Sequence, residues 1–312
     1  MELRWRQTVL QSDIEKRLTV NDSLFRNIHV FQQRFDIRPE DNEHLGTFIE
    51  YQDLFELREN FLNELFDTIV NWVYSREKYS ALMESYIKNG KEVSAAASQI
   101  QRKAAQKFRT GADGNLLIKG QFGELLLFHY IQRFMKATHL LRKMPITTSA
   151  KHERYGADAI HYCVDGDKNV LVLGEAKAYT QENGFSAALT KAINSILETY
   201  QRHRSELDLY THEDFLDDEM NCIANDYLAG ILPNVEIRLV AIIAYDEKEK
   251  ITLDSESHIR QQIKEIIERR FKDYDNTKID LDKNPILSRI TYIVFPIWEL
   301  GKLLETFQEM IS

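Results

Sequence analysis

Apolar side chains recur at intervals of three and four through residues 50–88, at Leu54, Leu57, Phe61, Leu65, Phe66, Ile69, Val70 and Val73. That spacing lays one apolar stripe along an amphipathic helix, so the stretch is expected to be helical throughout and to pack on a core or a partner. Asn89-Gly90 interrupts it, and an alanine-rich helix is predicted over 94–108, carrying Arg102, Lys103 and Lys107. Before residue 48 the signal is weak: candidate short strands at 7–10 and 28–35 are separated by polar breaks such as Arg38-Pro39-Glu40-Asp41-Asn42.

The turn cluster Thr110-Gly111-Ala112-Asp113-Gly114 marks a change of pattern. Beyond it, helical and strand periodicities alternate. A helix is expected over 119–136, with Leu125, Phe128, Ile131, Gln132 and Met135 along one side, then short β-rich runs at 143–148, 157–164 and 169–178. Asp165-Gly166-Asp167 makes the last two a hairpin. Helical spacing returns over 185–203, followed by an acidic loop. The run VEIRLVAIIAY at 235–245 is nearly continuously apolar, as suits a central strand buried on both faces, and SRITYIVFP at 288–296 repeats that character. Helices at 255–273 and 299–310 interleave with them. The order α-β-β-β-α-β-α-β-α predicts an α/β protein, a mixed sheet with helices on both faces. Residues 1–110 form a mainly helical region suited to partner docking, and 111–312 carry the sheet.

Composition changes this picture little, but charge changes it more. Hydrophobic residues make up 43% and charged ones 29%, an ordinary globular balance. Two cysteines, Cys163 and Cys222, cannot build a disulfide framework and have no metal-ligand spacing, so both read as reduced and structural. No signal-peptide core opens the chain and no apolar run nears the ~20 residues of a membrane span, so a cytoplasmic protein without a membrane partner is expected. The net charge of −9 is segregated. Between Lys88 and Arg154, 13 basic residues face four acids, giving +9, while 205–226 holds eight acids and no Lys or Arg. The first segment would attract a phosphate backbone and the second would repel one.

The chemistry concentrates in the hairpin. Residues two apart on a strand share a face, so Glu175 and Lys177 lie on one side, roughly 6 to 7 Å apart at ~3.3 Å per residue, with Ala176 directed into the core. Asp158, on the preceding strand, comes beside Glu175 if the register is right. Two adjacent carboxylates generally need a cation to stay ionised together, and Mg²⁺ or Mn²⁺ suits hard oxygen donors that leave room for water and substrate phosphate. Asp158 and Glu175 are therefore expected to hold the ion, while Lys177 positions the attacking water and stabilises charge on the phosphoryl oxygens. A structural Glu-x-Lys pair is the bland alternative. The small neighbours in Gly156-Ala157-Asp158 and Gly174-Glu175-Ala176-Lys177-Ala178, the apolar strand before them and the tight turn between them favour catalysis.

Glu124, in Lys119-Gly120-Gln121-Phe122-Gly123-Glu124-Leu125-Leu126, is a third candidate, a ligand to metal or water reaching in from the helix before the hairpin. It reads otherwise as a residue compensating a helix dipole. Lys191 and Asn194, one turn apart on the next helix, are candidates to touch phosphate or simply form a solvated face. His152 and His161 are nearest the hairpin, but no His-x-x-His spacing supports a histidine base, and serine-hydrolase, Walker and dinucleotide patterns are absent.

The motifs Gly-Gln-Phe-Gly-Glu124-Leu-Leu, Glu153-Arg154-Tyr155-Gly156-Ala157-Asp158 and Leu-Gly-Glu175-Ala-Lys177-Ala-Tyr, in this order, resemble those of the HamA family, nuclease-like subunits of the bacterial Hachiman anti-phage defence system. The likeness covers about residues 50–300. It implies a PD-(D/E)xK restriction-endonuclease-like fold with Glu124, Asp158, Glu175 and Lys177 on the active-site positions. It also implies a helicase partner, HamB, that restrains the nuclease until infection or DNA damage is sensed. Ala157 stands where the superfamily's name has proline. The expected activity is Mg²⁺- or Mn²⁺-dependent cleavage of DNA leaving a 5′-phosphate. A catalytically silent nuclease-fold subunit that regulates a helicase, and an RNA endonuclease or junction resolvase, are the alternatives.

Overall fold

The computed structural model describes residues 14–108, 118–141, 157–181, 184–211 and 218–312. The expected strands at 7–10 and 143–148, the turn at 110–114, and His152 and Glu153 lie outside them. After a short helix α1 (Asp22–Arg26) come β1 (Ile28–Gln33), β2 (His44–Ile49) and a small hairpin of β3 (Tyr51–Gln52) and β4 (Phe55–Glu56). Helices α2 (Arg58–Asp67), α3 (Ile69–Val73), α4 (Arg76–Lys88) and α5 (Val93–Ala105) follow. Residues 50–88 are thus not one continuous helix. Leu54 sits in the hairpin turn with a positive φ of 66°, and Ser75 begins α4 by accepting from the Lys78 amide, so the apolar stripe is shared among several short elements.

The second half runs α6 (Ile118–Tyr130), extended by a π-turn through Met135, β5 (Thr138–Leu141), β6 (Ala159–Asp165), β7 (Lys168–Tyr179), α7 (Gly184–Thr211) and α8 (Asp218–Leu228). It ends with β8 (Val235–Glu247), α9 (Glu256–Lys272), β9 (Ile290–Trp298) and α10 (Leu300–Ile311). The acidic stretch is not a loop wherever it is described. Leu207, Met220, Ile223, Ala224 and Tyr227 are buried, and their helical spacing turns an acid-rich sequence into two amphipathic segments, α7 continuing to Thr211 and α8 beginning at Asp218.

Seven strands form one mixed sheet in the order β1-β2-β9-β8-β7-β6-β5. β2, β9, β8 and β7 run parallel to one another, whereas β1 joins β2, β6 joins β7 and β5 joins β6 antiparallel. β8 is central, as its unbroken apolar run predicts. Two cores cover the two faces. On one, Leu171, Leu173, Ala241 and Ile243 pack with residues of α7, α8 and α9. On the other, Val170, Val172, Ala176 and Ile242 pack with α2, α3, α6 and α10. Residues before and after 110 therefore share one sheet and contribute to both of its cores.

Candidate active site

β6 and β7 pair through a tight turn in which Gly166 adopts a left-handed φ of 63°, a conformation that costs glycine little. The last ladder partners are Ala159 and Gly174, so the next pair in register is Asp158 opposite Glu175. There β6 departs from β7. The Ala176 amide, which has no β6 backbone to bond, donates instead to Asp158 Oδ2 at 2.9 Å. Asp158 thus occupies the gap where the two strands diverge.

Strand alternation puts Glu175 and Lys177 on the same face as Leu171 and Leu173, beneath α7. Lys177 Nζ donates to Glu175 Oε1 at 2.6 Å. The second carboxylate oxygen, Oε2, lies 3.4 Å from Thr199 Oγ1 of α7. Glu175 is only 5% exposed. Burial, and then the negative charge of Asp158, push its carboxyl up from 4.5 to about 8, against the opposing pull of Lys177. A second positive charge at this corner would relieve that strain. The donor set of two carboxylates is the hard-oxygen chemistry that a divalent ion prefers, so these residues fit the expected metal.

Glu124 is placed differently. It lies buried on α6, the helix that covers the opposite face of β7. Gly123 makes the close approach possible, since a Cβ there would meet the Ala176 Cβ at 3.1 Å and lie 3.9 Å from the Lys177 amide nitrogen. Glu124 follows Gly123 directly, so this close approach brings the helix backbone that carries it to the level of the site along β7. Asp158, Glu175 and Lys177 converge, and among the described residues no group of three or more His, Cys, Asp or Glu side chains is placed to hold a metal ion.

Two further lysines flank the end of β7. Lys119, from the start of α6, donates to Thr180 Oγ1 at 2.7 Å, and Lys191, from α7, lies 4.8 Å from the centre of the Tyr179 ring and 3.4 Å from its hydroxyl. Asn194 is exposed on the same helix. Not all of the basic segment borders the site: Arg133 pairs with Asp22 at 2.5 Å and Lys103 covers the Tyr86 ring. His161 is buried, with Nδ1 3.0 Å from the Ala137 carbonyl oxygen, and strand alternation directs it away from Glu175.

Two contributors went unnoticed in the sequence, Thr199 and Glu206, both on α7. Glu206 Oε2 accepts the Ala157 amide at 2.8 Å. With His203 they form a buried polar stripe at 199, 203 and 206. The spacing of four and three continues the apolar series 189, 192 and 196, so the helical period alone carried the signal.

A mixed sheet sandwiched between helices, with a buried glutamate, a half-buried aspartate and a lysine gathered where two strands part, defines an α/β protein with an acidic corner at the end of the β6–β7 hairpin. The chain belongs to the HamA family, whose model matches residues 23–311. A comparison with curated proteins finds no match. No helix among the described residues is long and apolar enough to cross a membrane.

Proposed function

We propose that the chain is a metal-dependent DNA nuclease of the PD-(D/E)xK kind, the effector of a Hachiman-type defence complex in the cytoplasm, restrained by a HamB-like helicase. The observation that carries this reading is the register of the β6–β7 hairpin. It sets Asp158 opposite Glu175 and leaves Lys177 on the same face, bonded to Glu175.

Asp158 and Glu175 would hold Mg²⁺ or Mn²⁺, with Glu124 of α6 contributing to the ion or its water. When bound, the ion polarises the phosphoryl group and makes a coordinated water more acidic. Lys177 then has two tasks. Its ammonium orients the attacking water, and it offsets the charge that develops on the phosphoryl oxygens. Lys119 and Lys191, at the end of β7, would draw neighbouring phosphates across the site.

Purified protein with its helicase partner and Mg²⁺ should degrade DNA. Glu175→Ala and Lys177→Ala should each abolish cleavage while circular dichroism and thermal unfolding show a folded protein. Unchanged cleavage by either variant would refute the assignment. Parallel digestion of DNA and RNA of one sequence decides the substrate polymer, with DNA expected.

A further inference from the structure

We infer that Glu206 is a positioning residue of this site, fixing the direction of Asp158 through the backbone at Ala157. The effect on cleavage rests on the nuclease reading, whereas the effect on Asp158 does not.

β6 is paired with β7 only from Ala159 onward, so the peptides at 157 and 158 have no β7 partner to hold them. Ala157 is nonetheless buried at 1% exposure, and a buried amide must find an acceptor. It finds the Glu206 carboxylate at 2.8 Å, itself only 8% exposed. One residue later the Asp158 side chain accepts the Ala176 amide at 2.9 Å. Asp158 is therefore held between two bonds, one behind it to α7 and one ahead of it to β7.

The same helix also backs the other carboxylate. Thr199 lies against Glu175 Oε2, and seven residues on, at ~1.5 Å per residue, the helix has risen roughly 10 Å to Glu206. His203 stands between them and is fixed at both nitrogens, 2.6 Å from the Tyr200 carbonyl oxygen and 2.6 Å from the Tyr227 hydroxyl. Residues 199–206 of α7 thus form a rigid polar backing that sets Asp158 and Glu175 relative to each other. Groups of this kind, which orient ligating side chains without touching substrate, typically alter function by about 10- to 100-fold when changed.

Two variants of the full chain separate position from charge. Glu206→Gln keeps an acceptor at the same reach, and Glu206→Asp keeps the charge but withdraws the acceptor by one methylene. Amide exchange followed by NMR should be accelerated at Ala157 and at Ala176 in Glu206→Asp and remain as in the parent chain in Glu206→Gln. In the Mg²⁺ cleavage assay, Glu206→Asp should lower kcat by roughly 10- to 100-fold with KM little changed, and Glu206→Gln should retain activity. Unaltered Ala176 exchange in Glu206→Asp, or equal disturbance in both variants, overturns the inference. If the parent chain with its helicase cleaves nothing, the nuclease reading fails while the exchange data still decide the role of Glu206.

Discussion

Glu175 carries the greatest electrostatic load of the site. Its burial and the adjacent Asp158 hold the carboxyl at about 8, so in the metal-free protein it keeps its proton at neutral pH. In the unfolded chain the same group titrates near 4.5. Between those values the folded state binds more protons than the unfolded one, and stability must therefore fall as pH rises. The contribution is fully present below pH 4.5 and is lost as pH climbs through about 8, at up to about 1.4 kcal/mol per pH unit. Urea unfolding in EDTA across pH 5 to 8, a range set by these two values, should show this decline. Glu175→Gln, neutral at every pH, should flatten it and exceed the parent chain in stability at the alkaline end. An equal slope in both proteins would mean that Glu175 is not the group responsible. Added Mn²⁺ should stabilise the parent chain most at the alkaline end, because an ion that binds only the folded state raises its stability and replaces the proton.

Among the elements, the contact between α6 and β7 sets how near Glu124 can come to the strand. Two glycines permit it. A Cβ on Gly174 would fall 2.8 Å from Leu127 Cδ2, 2.9 Å from Ile131 Cδ1 and 3.0 Å from Ala159 Cβ. The first two are side-chain ends that can turn aside, but the third is a Cβ fixed to the neighbouring strand. Gly174→Ala should therefore destabilise by about 1 to 3 kcal/mol, the usual range for overpacking, and lift α6 away from β7. Denaturant unfolding measures the first effect, and loss of cleavage in a still-folded variant reports the second. The elements also differ in how openly the sequence announces them. β8 and β9 are legible because both faces are buried and their runs are apolar almost without a break, and the hairpin is legible from Asp165-Gly166-Asp167. β2 is hidden although all six of its residues are buried. His44 accepts the Tyr292 amide, Thr47 bonds the Tyr130 hydroxyl, and Gly46 leaves space that the Phe31 ring fills. Polar side chains satisfied inside the core look like surface in a sequence. The Asp158–Glu175 pair could be read from strand alternation, while Glu206, an acid among acids, was marked as inward-facing only by its place in the helical period.

At the scale of the whole molecule, the N-terminal region is part of the body that holds the site. β1 and β2 extend the sheet beyond β9, with β2 parallel to β9 at Leu45–Ile293 and Gly46–Val294. An aromatic chain crosses residue 110: Phe61 packs edge-on to Phe122 and Phe295, and Phe108 and Phe122 both pack on Phe307. Cutting the chain at 110 would expose the β9 edge and strip Phe61, Leu62, Leu65, Ile69 and Val73 from the face that α6 and α10 share with them. An uncovered apolar face of this kind drives association, and an unprotected strand edge templates it. A fragment spanning residues 111–312, the sheet-bearing part expected from sequence pattern, should accordingly be poorly soluble and lack a sharp thermal transition. The intact chain should lose near-ultraviolet and far-ultraviolet circular dichroism together, the signature of one cooperative unit. Two separated transitions in the intact chain, or a fragment that melts sharply at the parent midpoint, would show that the strands and helices before 110 only lean on the sheet. Coincident loss would instead mean that the strands and helices before 110 unfold as one unit with the core beneath α6, the helix that carries Glu124.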